Sequence, residues 1–399
     1  MIQLSNRIQA LSESETLAMS RKSRELKAQG HNVINLSLGE PDFHTPAYIK
    51  DAAKKALDDN YTFYPPVAGY QDLREAICHK FKRDNNLEFT PDQIVVSTGA
   101  KQSIANVFLS LVNPGDEVII PAPFWVSYKE IVKVAEGKAV FVPTTVETEF
   151  KLKPAQLEAA ITPKSKLMIF SSPCNPTGSV YSRDELKGIA EVLRKYPDLY
   201  IIADEIYEHI NFIGKHESIG QFEWLRDRLI IVNGVSKGFA MTGWRIGYIA
   251  APKAIAQACD KLQGQFTSAA SSIAQRAALK AIATDPDTPE LREMKTAFRE
   301  RRDLMLKLLS EIPGLKLNHP DGAFYLFPDI SCYFGKSDGT TTVLNSNDLC
   351  MYFINKVYVA LVPGDAFGAP NCIRFSYATS KEQLTEAVKR IKGALDELK

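Results

Sequence analysis

The chain has 399 residues, with 48 Lys and Arg against 47 Asp and Glu for a formal charge of +1, and is 45% hydrophobic and 24% charged. That balance excludes a disordered tail, a collagen-like fibre and a disulfide miniprotein, and leaves no long-range field to steer the chain onto nucleic acid or an anionic membrane. At this length a single hydrophobic core has usually stopped growing, so two domains with a cleft between them are expected.

The first residues, MIQLSNRIQALSESET, lack the apolar stretch of a secretory signal, and no apolar run reaches the length that crosses a bilayer. The six cysteines form no CxxC pair and the six histidines no HExxH, so neither a disulfide framework nor a metal site is expected. A cytoplasmic protein with reduced thiols is the expectation.

In chain order, short β-branched or apolar runs at 94–97, 117–120, 139–143, 167–171, 199–203, 228–233 and 245–250 alternate with helical spacings such as 102–112 and 183–194. The alternation predicts an α/β fold: a large domain with a mainly parallel sheet flanked by helices on both faces. From about residue 285 the breaker TDPDTP precedes one long charged helix over 290–312. Beyond it come an apolar strand near 322–327, a polar loop at 335–347, a helix, strands near 357–362 and 373–377, and a final helix over 381–398. These predict a smaller α+β domain. The expected division is residues 46–284 for the large domain, and 1–45 with 285–399 for the small one.

The strands of the large domain end in Gly, Pro, Asn and Ser, where open α/β sheets bind ligands. Gly99-Ala100-Lys101 follows the first strand and opens a helix, so its exposed N–H groups suit a phosphate. Asn175-Pro176-Thr177-Gly178 closes the fourth strand, as a turn or as a rigid mount for Asn175. Asp204 follows the fifth, as a helix cap or as the partner of a protonated ring nitrogen, with Tyr207 beyond it. Ser236-Lys237 follows the sixth, as surface residues or as a Schiff-base lysine, and Arg245 eight positions on needs an anion or water. Trp125 is either a core aromatic or a plate on which a ring stacks.

The motifs GEPDF (39–43), YPPVAGYQDLREAI (64–77), STGAKQ (97–102), NPTG (175–178), ADEIYEH (203–209), SKGFAMTGWRIGY (236–248) and RFSYA (374–378) stand in the order found in one family. Through them the chain resembles the fold-type I pyridoxal-phosphate aminotransferases of class I/II, from near its N-terminus to the last helix. PFWVSY, GAKQ and AMTGWRIGY are similar to the bacterial-type aspartate aminotransferase subgroup, which also contains prephenate aminotransferases.

The resemblance implies pyridoxal 5'-phosphate as cofactor, bonded through a Schiff base to Lys237, which also moves the substrate's α-proton. It implies Asp204 at the ring nitrogen, Tyr207 and Asn175 at the ring's phenolic oxygen, and Trp125 stacked on the ring. Gly99, Ala100, Lys101, Ser236 and Arg245 would hold the phosphate, and Tyr64 would reach a neighbouring subunit's phosphate in a homodimer. Arg374, in a strand over 372–377 expected to alternate buried and exposed residues, would fork onto the substrate's α-carboxylate, with Gly39 at the same end. Lys101, with Ser14 and Thr16 closing over it, would take a second carboxylate. Cys174 is expected to pack, since no His stands near it in sequence.

The activity implied is ping-pong transamination between L-aspartate and 2-oxoglutarate through pyridoxamine phosphate, with amino acids and 2-oxo acids as the small-molecule partners. Prephenate or aromatic substrates are the alternative within the class. A carbon–sulfur lyase using the same cofactor is the alternative chemistry, and a non-enzymatic cofactor sensor a third.

Overall fold

Strands buried on both faces need near-continuous runs of Val, Ile and Leu. The computed structural model, which describes residues 3–13 and 15–399, gathers those runs at its centre. The first strand, β1 (Ile34–Asn35), stands apart from them. The others are β2 (Ile94–Ser97), β3 (Glu117–Ala122), β4 (Lys138–Pro143), β5 (Ser165–Ser171), β6 (Tyr200–Asp204), β7 (Leu229–Gly234) and β8 (Gly247–Ala250). Among the described residues they form one seven-stranded sheet in the order β2-β8-β7-β6-β5-β3-β4. All neighbours run parallel except β8, which is antiparallel to β2 and β7.

Successive side chains of these strands feed two different cores, as the two-residue period requires. Ile202, Ile230 and Val232 join one hydrophobic cluster with Ile104 and Phe108 of the helix Ala100–Leu111. Ile201 and Ile231 join the other, with Leu186 and Ile189 of the helix Arg183–Arg194. The sheet is therefore covered on both faces, and its register sets Ser171 beside Asp204 and Asp204 beside Val232. The residues that follow these strands are thus delivered to one rim.

The long helix is Pro289–Ser310, with proline in its first turn, where the missing N–H costs nothing. It precedes β9 (Tyr325–Leu326), β10 (Val359–Ala360), β11 (Val362–Pro363) and β12 (Ile373–Ser376). The single strand expected over 357–362 is two: β10 pairs in parallel with β1, while β11 joins the antiparallel sheet β11-β12-β9. The N-terminal segment is stitched to the C-terminal region through β1. The alternation expected over 372–377 is corrected as well: all four residues of β12 are buried, Arg374 included. Covering both faces leaves no solvent side for the arginine. Among the described residues no helix is long and apolar enough to cross a membrane.

Phe298 of the long helix is fully buried, edge-on to Phe43 at 5.5 Å and tilted on Phe324 at 5.1 Å between ring centroids. It joins that helix to the N-terminal segment and to the residues before β9. Phe298→Ala is expected to cost about 3–5 kcal/mol, read as a lowered urea midpoint; a loss under about 1 kcal/mol would show that Phe298 does not tie the segments together.

Candidate active site

A cavity of about 400 Å3 opens at the rim where the parallel strands end. Ala100 and Lys101 reach it from the helix after β2, Trp125 and Tyr128 from beyond β3, and Asn175 from beyond β5. Asp204 enters at the end of β6 and Ser236 and Lys237 after β7, while Arg374 of β12 and Gly39 and Thr16 of the N-terminal segment close the other side. Seven separate stretches of chain thus meet in one space.

Asp204 is the buried anion of this cavity, 5% exposed. Its Oδ2 accepts from Tyr128 Oη at 2.6 Å and its Oδ1 from the N–H of Ile206 at 3.3 Å. Burial still dominates and lifts the carboxyl to about 6, against its ordinary value of 3.8. A buried carboxylate in this state needs a cation, and a ligand's N–H+ would supply one.

Lys237 lies across the same cavity, with Nζ donating to the carbonyl of Gly39 and lying 5.8 Å from the centre of the Tyr207 ring. Burial depresses its pKa to about 8, with Arg374 and Arg245 pushing the same way against Glu40. An appreciable share of free amine near neutral pH is what a carbonyl-attacking lysine requires.

The anion cradle is built from backbone and one arginine. Gly99 caps the helix Ala100–Leu111 with φ 83°, and a Cβ there would fall 2.1 Å from Arg245 Nη2. Only glycine leaves the guanidinium that place. Arg245 itself holds φ 57°, ψ 53°, a left-handed backbone that costs a non-glycine residue roughly 1–2 kcal/mol. With Arg245 in this conformation the expected strand 245–250 begins two residues later, at Gly247, and Arg245 Nη1 donates to the carbonyl of Thr242 at 2.9 Å. Helix N–H groups, Ser236 and Arg245 together suit a phosphate.

Arg374 is 2% exposed. Nη1 donates to Asn175 Oδ1 at 2.9 Å and Nη2 to the carbonyl of Ser37 at 2.6 Å, whereas Nε has no partner. Its guanidinium lies over Tyr325 at 4.6 Å and Phe367 at 5.0 Å. Among the described residues no acidic side chain pairs with it, so an incoming carboxylate is the missing counter-charge. With Oδ1 so engaged, Asn175 has its amide NH2 left to donate. Lys101 Nζ stands 5.1 Å over Trp125 at the cavity wall, its pKa lowered by desolvation and by Arg245.

The sequence-derived set thus meets in this cavity, with three qualifications. Gly99 stands behind the wall, Tyr64 is 96% exposed and does not line its own chain's cavity, and Ser14 lies outside the described residues. Cys174 is buried, its thiol pushed up by burial, and it packs behind the wall. Tyr128 and Tyr325 were not singled out in the sequence: Tyr325 Oη is 2.8 Å from Tyr207 Oη, which orients the tyrosine beside Lys237. The PFWVSY motif carried Tyr128, but only the fold brings it to Asp204.

The donor set fits pyridoxal phosphate: an amine for its aldehyde, a buried carboxylate for its ring nitrogen and an anion cradle for its phosphate. The family described as aminotransferase class I and II matches residues 31–391. A bifunctional aspartate aminotransferase and glutamate/aspartate-prephenate aminotransferase of Petunia hybrida is 50% identical over 401 residues, spanning 100% of this chain and 84% of its own. The crystal structure of the aspartate aminotransferase from Rhizobium meliloti superposes with a TM-score of 0.96 at 40% identity, covering 100% of both chains. That of the Thermus thermophilus enzyme with maleate gives 0.93 at 40% identity, covering 99% of this chain and 100% of that one.

The folded Asp204 carboxyl holds its proton to about pH 6 and an ordinary one only to 3.8, so folding without cofactor takes up a proton between these values. Stability then falls as pH rises through that window, by on the order of 3 kcal/mol in all. Cofactor-free Asp204→Asn is expected to be more stable than wild type at pH 8, with the gain gone below pH about 4. Urea unfolding across pH checks this, and an Asn variant no more stable at pH 8 contradicts it.

Proposed function

The chain belongs to the class I and II aminotransferases, and on that premise we propose that Lys237, Asp204 and Arg374 work around one pyridoxal phosphate. The protein is an aspartate aminotransferase: it transfers the amino group of L-aspartate to 2-oxoglutarate, giving oxaloacetate and L-glutamate in two half-reactions at one site. The observation that carries the residue assignment is the convergence of a depressed-pKa amine, a buried carboxylate, an anion cradle and an unpaired guanidinium on a single cavity.

Pyridoxal phosphate, when bound, supplies a protonated pyridine ring that takes up the electron pair left by the departing α-proton. Arg374 offers Nε and its fork to the substrate's α-carboxylate, on a mount fixed by Ser37 and Asn175. Lys237 Nζ, on a flexible stem, takes the α-proton and returns it. Asp204 stays ionised by holding a cationic N–H, and Tyr128 keeps its carboxylate aimed. Gly99, Ala100, Ser236 and Arg245 bind the phosphate, and Trp125 covers the ring.

Lys101 and Thr16 line the same cavity, which supports a place for the second carboxylate of a dicarboxylic donor. The maleate in the Thermus thermophilus structure is itself a dicarboxylate. A second reading, prephenate as the amino-group acceptor, is favoured by an adjoining chamber of about 270 Å3 that shares Lys101, Val126 and Ser127 with the main cavity. It offers room beyond an aspartate side chain. The exposed Phe63 and Tyr64 suit a homodimer in which Tyr64 reaches the neighbouring subunit's phosphate. The unpaired cysteines suit the cytoplasm. The separate sheets support a large unit of 46–284 and a small one of 1–45 with 285–399.

Purified protein loaded with cofactor is mixed with single amino donors while its absorbance is followed. Aspartate and glutamate are expected to convert it in one turnover, whereas pyruvate release from a cysteine-type donor without an oxo-acid acceptor would favour the lyase. In the same assay Lys101→Ala is expected to lower kcat/KM for aspartate about 100-fold and for phenylalanine less than about threefold. Equal losses would remove Lys101 from the distal-carboxylate site.

A further inference from the structure

A buried charged cluster adjoins Asp204 without lining the cavity. Glu205 follows Asp204 directly, and its N–H donates to the carbonyl of Val232 at 2.9 Å. Ser218 Oγ donates to Glu205 Oε1 at 2.6 Å. His216 Nε2 stands 3.2 Å from Glu205 Oε2, near enough for an ion pair although not aligned as a hydrogen bond, with both side chains no more than 5% exposed. Glu208 continues the cluster: it accepts from Asn233 at 2.9 Å and Asn85 at 3.3 Å and pairs with the buried Lys80. His209 packs on the lysine loop, edge-on to Phe239 and so close to Gly238 that a Cβ there would meet the ring at 2.7 Å. The cluster therefore touches the segments that carry both Asp204 and Lys237.

Its charges close in one way. Glu205, Glu208 and Asp84 bring three negative charges; Lys80, and Arg83 paired with Asp84, bring two positive ones. Burial drives His209 towards its neutral form, and the Tyr248 hydroxyl, packed over the cluster from β8, is held protonated by burial and by these carboxylates. His216 is left to supply the third positive charge. Burial opposes that, but Glu205 and Glu208 outweigh it and the ring's pKa lies above 6.5. Lys80 Nζ already meets Glu208, so the pocket that a metal ion would need is filled by an ammonium.

We propose that Glu205 and His216 are positioning residues of the transaminase, in which the imidazolium of His216 balances Glu205 and shields Asp204 from its charge. Glu205 raises the proton affinity of Asp204; a positive charge on His216, 3.2 Å from Glu205, opposes that effect and favours an ionised Asp204 free to hold a ligand's cationic N–H. This rests on the aminotransferase reading and adds a layer to it: the proton held on His216 sets the strength of the grip that Asp204 exerts.

Two measurements on the full chain test it. In the cofactor-free protein, the NMR titration of 13C-labelled histidine, with His216 assigned by its loss in His216→Gln, is expected to give a midpoint above 6.5, and Glu205→Gln to bring it below that value. In the loaded enzyme, His216→Gln is expected to move the pH midpoint of the bound cofactor's absorbance upward by about one pH unit, and Glu205→Gln added to it to restore the wild-type midpoint within about 0.3. A purely structural role would make the double variant no better than the single one. If His216→Gln fails to fold while the double variant folds, the same charge balance is shown by stability. If neither folds, His216 is assigned by elimination, from the resonances lost on substituting the other five histidines one at a time, and the wild-type titration decides. A His216 neutral at pH 6.5, or a double variant displaced as far as the single one, overturns the proposal. Wild-type protein inert towards aspartate with these titrations intact would sink the catalytic reading alone.

Discussion

A carboxylate taken out of water without a cation of its own is the constraint on which the site depends. Asp204 is buried at the end of β6 with two hydrogen bonds, and these do not offset its desolvation. The deficit suits a ligand that carries a protonated ring nitrogen, which would bring the charge that the chain withholds. Lys237 is arranged in the opposite sense: burial and two arginines disfavour its ammonium form and leave an amine to react. Arg374 repeats the logic with its unpartnered Nε. The cavity thus carries three unbalanced groups, each suited to one part of a ligand.

The fold supplies this arrangement by register rather than by local propensity. Parallel pairing sets Ser171, Asp204 and Val232 level, so the loops that follow leave from one rim. The antiparallel β8 returns beside β2 and brings Arg245 against Gly99, with Gly247 so close to Ala100 that a Cβ would lie 2.1 Å from its backbone nitrogen. Two glycines and one strained arginine therefore shape a cradle that suits a phosphate. From the other side, β12 carries Arg374 in a strand with no exposed face, which fixes the guanidinium more firmly than a surface mount would.

Much of this was legible in the sequence because parallel strands buried on both faces read as unbroken apolar runs, and the polar residues ending them stand out. Asp204, Asn175, Lys237 and Gly99 were singled out in this way, with turn, cap and surface readings left open until the family resemblance chose among them. What escaped were residues defined by partners far along the chain. Tyr128 meets Asp204 across 76 positions and Tyr207 meets Tyr325 across 118, and nothing local distinguishes such tyrosines from core aromatics. The stretch 357–362 reads as one strand because its apolar run is continuous, yet it is divided between two sheets, a tertiary choice that periodicity does not encode. Arg374 looked like a member of an alternating strand for a related reason: cover on the second face comes from elements elsewhere in the chain.

The central claim is that one molecule is gripped between the Lys237 amine and the Asp204 carboxylate. Borohydride reduction of the loaded protein, followed by proteolysis and mass mapping of the modified peptide, tests it most directly. The account predicts a single reduced cofactor adduct on Lys237, formed in the wild type and lost in Lys237→Ala. An adduct on Lys101 or any other lysine, or one that persists in the variant, would contradict it.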